Sequence, residues 1–373
     1  MILRTEYGVA PKEDGIMVVY KPVVRAAHAF GEISRDFTKP AEIFREAIAN
    51  SLDAYARRIW LRTCVRPMKG RETVLIDLAD DGVGMSSEGI KAFLNLSDSR
   101  KDHRPPLGAS TRRMTGHKGH GTKIYFNSEK LEILTYDGQA APVSCAMVDP
   151  RGELAEGNVP EATIEELSLE ELRSRRDTWG FQELELGSGT IVRVTGYHSN
   201  AKSGLEHAFL RDYVRWFTRW GSWEPKLAAA AAVERAEVTD FGACKLFLRG
   251  LGKEPSPDTD EDVPFGHLFP PADCSDVGKL RAKDATDPLK HYVRTWAFHN
   301  VPLFRNPDKR IDFLFAIEGE AARREYNEML RRQGRARRPG DYLSEERYGL
   351  WLGRDFVPID RVNEWVAERS EYT

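Results

Sequence analysis

The sequence predicts an α+β protein of two domains, and three observations carry that expectation. Residues 44–55 place apolar side chains with the period of an amphipathic helix. Val74, Ile76 and Leu78 alternate with the period of a strand, and Thr190 opens a second strand containing Ile191, Val192 and Val194. The chain of 373 residues is long enough for two or three domains and changes character near residue 240. Beyond that point FGACKLFLRGLG, RIDFLFAIEG and YGLWLGRDFVPI read as strands, with EAARREYNEMLRRQ as a helix among them.

Composition narrows the class. Hydrophobic residues make up 41% and charged residues 30%, which suits a globular protein with a sizeable core. A net charge of −3 argues against a wholesale polyanion binder, although not against a local basic patch. Cys64, Cys145, Cys244 and Cys274 lack the close spacing of a zinc knuckle or redox pair and read as reduced, structural thiols. The N-terminal residues have no apolar core of signal-peptide length, and no apolar run approaches a membrane span. A cytoplasmic protein with no membrane partner is therefore expected.

The helix at 46–54, EAIANSLDA, sets Glu46, Asn50 and Asp53 on one face, while Phe44, Ala47, Ile48, Ser51 and Tyr55 fall on the other. A solvated polar face is the simplest account, but this one carries no Lys or Arg until Arg57, so i,i+4 charge pairing is missing. Ala and Ser flank the polar groups, as if a ligand must approach closely. An Asn carbonyl oxygen can hold Mg²⁺, a hard cation that brings phosphates with it. A Glu one turn away can orient and deprotonate a water.

The strand TVLIDLAD ends at Asp80, and DDGVGM then breaks it. Gly82 and Gly84 allow close backbone approach, and a carboxylate at Asp80 can accept a hydrogen bond from an exocyclic amine. Further on, GHKGHGTK at 116–123 places Gly116, Gly119 and Gly121 before the apolar IYF. Glycine-rich loops whose amides point at a ligand cradle phosphates, but Thr122 between Gly121 and Lys123 rules out a Walker A loop. Between the two glycine motifs the chain is basic: from Ser97 to Lys123 seven Lys or Arg stand against two Asp. His103, His117 and His120 lack a carboxylate or thiol partner at ligand spacing, so a metal reading is set aside.

Residues 150–177 are acidic and helix-prone and are expected to form an exposed excursion without chemistry. At 205–223 Leu210, Tyr213, Val214 and Phe217 share one side of an amphipathic helix that closes the first domain. The alanine run at 227–238 reads as a connector, and RRQGRARR at 331–338 as a phosphate-backbone contact or a solvated helix end.

The order ExxxNxxDA, DxGxG, GxxGxG and GT opening a strand resembles the motif series of the GHKL, or Bergerat-fold, ATPases, whose members include gyrase, a heat-shock chaperone, histidine kinases, MutL and MORC proteins. In form the motifs are nearest to MutL, MORC and the chaperone. The resemblance implies a Bergerat α/β sandwich, a mixed sheet with helices on one face, over residues 1–225. A smaller βαβ transducer-like domain follows over 226–373. It implies ATP and Mg²⁺ as ligands, Glu46 as general base, Asn50 as the Mg²⁺ ligand, Asp80 on the adenine amine and Asp53 in support of the pocket. Gly82 and Gly84 would let the base lie flat, and Thr190 would contact the adenine side. Gly116, Gly119, Gly121, Thr122 and Lys123 would hold the phosphates. The basic stretch, with Lys101, would be an ATP lid at about 90–122. A basic residue of the second domain would reach the γ-phosphate, with Lys309 and Arg310 in the loop NPDKR as candidates beside Lys279, Lys283 and Lys290.

The function so implied is a Mg-ATP-hydrolysing conformational switch. Nucleotide would close the lid and drive homodimerisation, in the manner of a MORC-like or MutL-like clamp acting with double-stranded DNA or a partner effector protein. A chaperone-like ATPase and a nucleotide-sensing module without turnover are the alternatives. An autophosphorylating histidine kinase is not expected, because 45 residues precede Glu46 and His28 is the upstream histidine.

Overall fold

The computed structural model describes residues 26–68, 70–96, 121–185, 187–222, 244–254, 256–266, 292–318, 351–354 and 357–361. The expected helix forms as α2 (Glu42–Asp53), preceded by α1 (Ala26–Asp36). A hairpin follows, β1 (Arg58–Met68) and β2 (Arg71–Asp80), and then α3 (Ser87–Leu94), whose N-cap Ser86 accepts from Gly89 N. A short 3-10 helix, Gly121–Phe126, leads into β3 (Lys130–Tyr136) and β4 (Val143–Val148).

The acidic stretch is more structured than its composition suggests. It forms α4 (Pro150–Glu156), β5 (Ala162–Glu166) and α5 (Leu169–Thr178). The strand β5, only five residues long and rich in Glu, lies at the sheet edge, where alternation is weakly demanded. A full capping box between Ser168 and Glu171 starts α5. The expected strand at 190 is β6 (Gly189–Thr195), and the amphipathic helix runs from His207 to Phe217.

These strands build one eight-stranded sheet in the order β5-β4-β3-β6-β2-β1-β7-β8. Its neighbours are antiparallel except β1 and β7, which run parallel, so the sheet is mixed. The two last strands, β7 (Lys245–Arg249) and β8 (Glu261–Asp262), lie beyond the boundary expected at 225 yet extend the sheet of the first domain. Leu246 and Leu248 of β7 join the main core, so burial explains why the strand belongs there.

One face of the sheet carries that core. Val74, Ile76 and Leu78 of β2, Leu131 and Ile133 of β3 and Val192 and Val194 of β6 meet Phe44, Ile48 and Leu52 of α2 and Leu210 and Val214 of the helix at 207–217. The fold is thus the expected α+β sandwich with its main helices on one face. The other face bears a smaller core, where Trp60, Ala79, Leu134 and Ile191 pack beneath Leu172 of α5, Phe181 and Leu184. Buried charges on this side are paired. Arg193 makes two bonds to Asp77, at 2.7 and 2.9 Å. Arg62 bonds Asp260 (2.9 Å from Nε), the Gly180 carbonyl (2.8 Å) and Glu183, joining β1 to two distant segments.

Farther along the chain, β9 (Tyr292–Leu303) and β10 (Asn306–Glu318) form an antiparallel hairpin, and β11 (Trp351–Arg354) pairs with β12 (Val357–Arg361). Lys309 and Arg310, expected in a loop, lie within β10; the turn is at 304–305, and the ladder is irregular between Asn306 and Arg310. Lys279, Lys283, Lys290, the alanine run, the helix expected at 320–333 and the Arg cluster at 331–338 lie outside the described residues. Among the described residues no helix is long and apolar enough to cross a membrane, and Cys64, Cys145 and Cys244 are free thiols.

Candidate active site

The polar face of α2 and the end of β2 meet at one place. Asp80 is the last residue of β2. Its Oδ2 accepts from the Ser51 hydroxyl of α2 at 2.9 Å, and its Oδ1 accepts from Gly82 N at 2.9 Å. Burial pushes the Asp80 carboxyl up to about 6, with Asp81 adding to the shift and the two hydrogen bonds opposing it. Its neighbour plays a different part. The Asp81 carboxylate accepts from the Arg57 and Arg58 amides, both at 2.7 Å, and from Arg58 Nε, tying down the start of β1. Of the two aspartates in DDGVGM, only Asp80 is thus joined to α2 through its side chain among the described contacts. Ser51, which helical spacing places on the apolar side, is the residue that joins them; no sequence signal marks it apart from its position next to Asn50.

Thr190 is the register partner of Asp80 across β2 and β6. Its hydroxyl lies 2.9 Å from that of Thr135, which also donates to the Gly189 carbonyl and accepts from Met85 N. Strand pairing, not proximity in sequence, brings Thr190 to Asp80.

The glycines serve the protein's own packing. Gly84 has φ +65°, and a Cβ there would lie 1.8 Å from the Tyr136 carbonyl oxygen. A Cβ on Gly82 would meet the Ala54 carbonyl at 2.6 Å. The turn is therefore pressed against α2 and β3, which holds Asp80 at the end of the helix face.

Glu46 is half-buried, and the backbone of Gly121 lies against it: a Cβ on Gly121 would fall 2.1 Å from Glu46 Oε2. Arg45 contacts the same carboxylate, its Nε 3.2 Å from Oε1, and also pairs with Glu42 at 3.5 Å. Arg45 thus supplies charge partners at i−3 and i+1, spacings that an i,i+4 reading does not cover. It follows Phe44 on the helix, and spacing alone does not show how far its long side chain bends around. Asn50 is half-buried, and its Nδ2 is buried without a well-formed hydrogen bond. The hydroxyl of Tyr125, from the 3-10 helix, lies within interacting range of this amide. Burial, with Glu46 and Asp80 close by, raises the Tyr125 phenol above its ordinary value.

Three expected residues have other described partners. Asp53 is buried, and its Oδ1 accepts from Arg219 at 2.8 Å; this pair pins the 3-10 turn Arg219–Gly221 to the end of α2. Thr122 and Lys123 turn to α3. The Thr122 hydroxyl donates to the Phe93 carbonyl at 2.9 Å, and the fully buried Lys123 ammonium donates to the same oxygen at 2.7 Å. Both satisfy a carbonyl of the last helical turn, which has no partner within the helix. Lys101, Gly116 and Gly119, with most of the lid, lie outside the described residues.

The donor set suits a magnesium nucleotide. Asn50 lies half-buried on this face of α2 and carries an amide oxygen, the ligand type a hard cation takes. Glu46 stands one turn away, and Gly121 sets no side chain against its carboxylate.

Residues 38–174 match the family described as histidine kinase-, DNA gyrase B-, and HSP90-like ATPase. That segment contains α2, the Asp80 turn and Gly121, and the match supports a likeness to the GHKL ATPase superfamily. Among solved structures, the ATPase and transducer domains of DNA topoisomerase II from Balamuthia mandrillaris are similar, at 19% identity and a TM-score of 0.27. The similarity covers 41% of this chain and 36% of that one, so the chain spans about a third of its relative's length. No curated protein matches the chain.

Proposed function

We propose that this protein binds and hydrolyses ATP with Mg²⁺ at the site between α2 and β2, and that nucleotide state controls its conformation. The observation that carries the reading is the joining of Asp80 to Ser51 on α2, which sets an adenine-recognising carboxylate one helix face away from Asn50 and Glu46. Asp80, ionised near neutral pH, accepts the hydrogen of the adenine amine, and the Thr190 hydroxyl stands beside it. Asn50 would hold the magnesium ion, which when bound neutralises phosphate charge and orients the triphosphate. Glu46 takes the proton of the attacking water, and Arg45 beside it fixes the carboxylate. The Asp53–Arg219 pair holds the end of the helix that carries these groups.

The basic stretch between Ser97 and Lys123 matches the charge of a triphosphate and supports its assignment as the lid. Closure of that lid and ATP-dependent homodimerisation follow as the work of the switch, with double-stranded DNA or an effector protein as client. The five Arg at 331–338 favour DNA.

The test is steady-state phosphate release from Mg-ATP, with and without double-stranded DNA, for the wild type and Glu46→Ala. Wild-type turnover with a loss of roughly 100-fold or more in the mutant, ATP binding being retained, is the expected result. Equal release from both would remove Glu46 from the mechanism. Binding without turnover in either would make the protein a nucleotide sensor. DNA stimulation supports the clamp.

A further inference from the structure

The tip of the β9–β10 hairpin goes against the preferences of its own turn. Leu303 pairs with Asn306, so Phe304 and Arg305 are the two turn residues. Two-residue hairpin turns favour Asn, Asp and Gly, which take the backbone bend at little cost. Phe304 gains no packing in exchange, for it is 99% exposed. Every residue from Pro302 to Ile311 is exposed, and over that span Arg305, Lys309 and Arg310 stand against Asp308. Among the described residues none of the three cations takes part in a hydrogen bond or an ion pair. A lone exposed apolar side chain is ordinary. A phenylalanine at the point of a hairpin, beside three cations without partners, asks for a ligand. The two strands, of 12 and 13 residues, make a ribbon roughly 40 Å long that pairs with no other described strand.

We propose that this tip is a contact for duplex DNA: the Phe304 ring lies against a base step, and Arg305, Lys309 and Arg310 neutralise the phosphates on either side. A two-stranded ribbon is narrow enough to enter a DNA groove. An apolar side chain at its end can wedge between base pairs, and the contacts so gained offset the lost stacking. Cations nearby release counterions from the backbone. The excess of positive charge at the tip favours a polyanion over a protein surface. The inference deepens the reading of DNA as the client and rests on it.

Fluorescence anisotropy of a short labelled duplex with the full chain, over a series of salt concentrations and without nucleotide, tests it. Leaving out nucleotide removes any contribution that these cations make to ATP binding. Wild type is compared with Phe304→Ala, Phe304→Trp and the triple variant Arg305→Gln, Lys309→Gln, Arg310→Gln. All four changes are at exposed positions, and a thermal melt checks that each variant keeps its fold. The triple variant is expected to lower the slope of log K against log salt by about 2–3. Phe304→Ala should keep the slope and weaken binding by about 10-fold, within the range for removing a ring stacked on a base, and Phe304→Trp should bind as wild type. Affinity within twofold of wild type in both Phe304→Ala and the triple variant overturns the inference and moves the DNA contact to another surface. A triple variant that loses slope while Phe304→Ala binds as wild type also overturns it, because bare cations then account for the contact. If the wild type binds no duplex even at low salt, DNA fails as the client and this inference falls with it, while phosphate release still tests the ATP site separately.

Discussion

In the proposed site, Asp80 sets binding and stability against each other in one side chain. Its folded-state value of about 6 lies above the ordinary 3.8 because burial disfavours the charge. The folded protein thus binds this proton more tightly than the unfolded chain does. Stability from the group is greatest below 3.8, falls as pH rises from there to about 6, and stays lost at neutral pH. Asp80→Asn is therefore expected to raise stability at pH 7 by about 1–3 kcal/mol, seen as a higher denaturation midpoint. The same change should weaken ATP binding by roughly 10–100-fold, the value of a hydrogen bond to a charged group. Wild-type affinity should also decline as pH drops through about 6. Subtracting the Asp80→Asn profile separates this group from titration of the phosphates. A destabilised variant, or one with unaltered affinity, would remove Asp80 from the adenine site. Glu46, Asn50 and Asp80 were legible as positions, because helical spacing sets the first two on one face and a strand ending in DxGxG places the third; the roles expected of them come from the resemblance to the GHKL ATPases. Asp53 was legible on the same helix face, and Thr122 and Lys123 at the end of the second glycine motif, but their partners were not. Their partners, Arg219 and the Phe93 carbonyl, are far along the chain and are set by packing.

At the scale of elements, α2 is held between the sheet and the turn that follows the helix at 207–217. The Asp53–Arg219 pair fixes its C-terminal end, with both side chains largely buried. Removing one member strands the other charge away from water. Asp53→Ala is expected to cost about 3–5 kcal/mol in chemical denaturation. Replacing both residues with apolar ones of similar volume should recover much of that loss. A cost below about 1 kcal/mol for the single change would show that the pair does not hold the helix. The sequence announced α2, β2 and β6 through strong periodicity, and also the helix at 207–217. It did not announce β5, whose run of Thr, Ile and Glu is short and exposed. Nor did it show that α5 covers the second face of the sheet, because Leu172 is the single buried residue of that helix and gives no stripe to read.

Over the whole molecule, the least legible feature was where the first domain ends. A change in character near 240 suggests a new unit, but strand pairing crosses that point. β7 runs parallel to β1 from Arg58↔Lys245 to Arg62↔Arg249, a pairing between segments almost two hundred residues apart that no local pattern encodes. We propose that the ATP-binding unit extends to about residue 266. Cutting at 225 would remove Leu246 and Leu248 from the main core and expose the β1 edge. It would also take Asp260 from the largely buried Arg62. Each loss is of the kind that unfolds marginal domains, and together they exceed the few kcal/mol such a domain holds in reserve. A fragment of residues 1–225 is thus expected to aggregate or to unfold without a cooperative transition. Residues 1–266 should unfold cooperatively and bind ATP by calorimetry. A soluble, cooperative, ATP-binding 1–225 fragment would place the boundary back at 225 and make β7 and β8 a dispensable extension of the sheet.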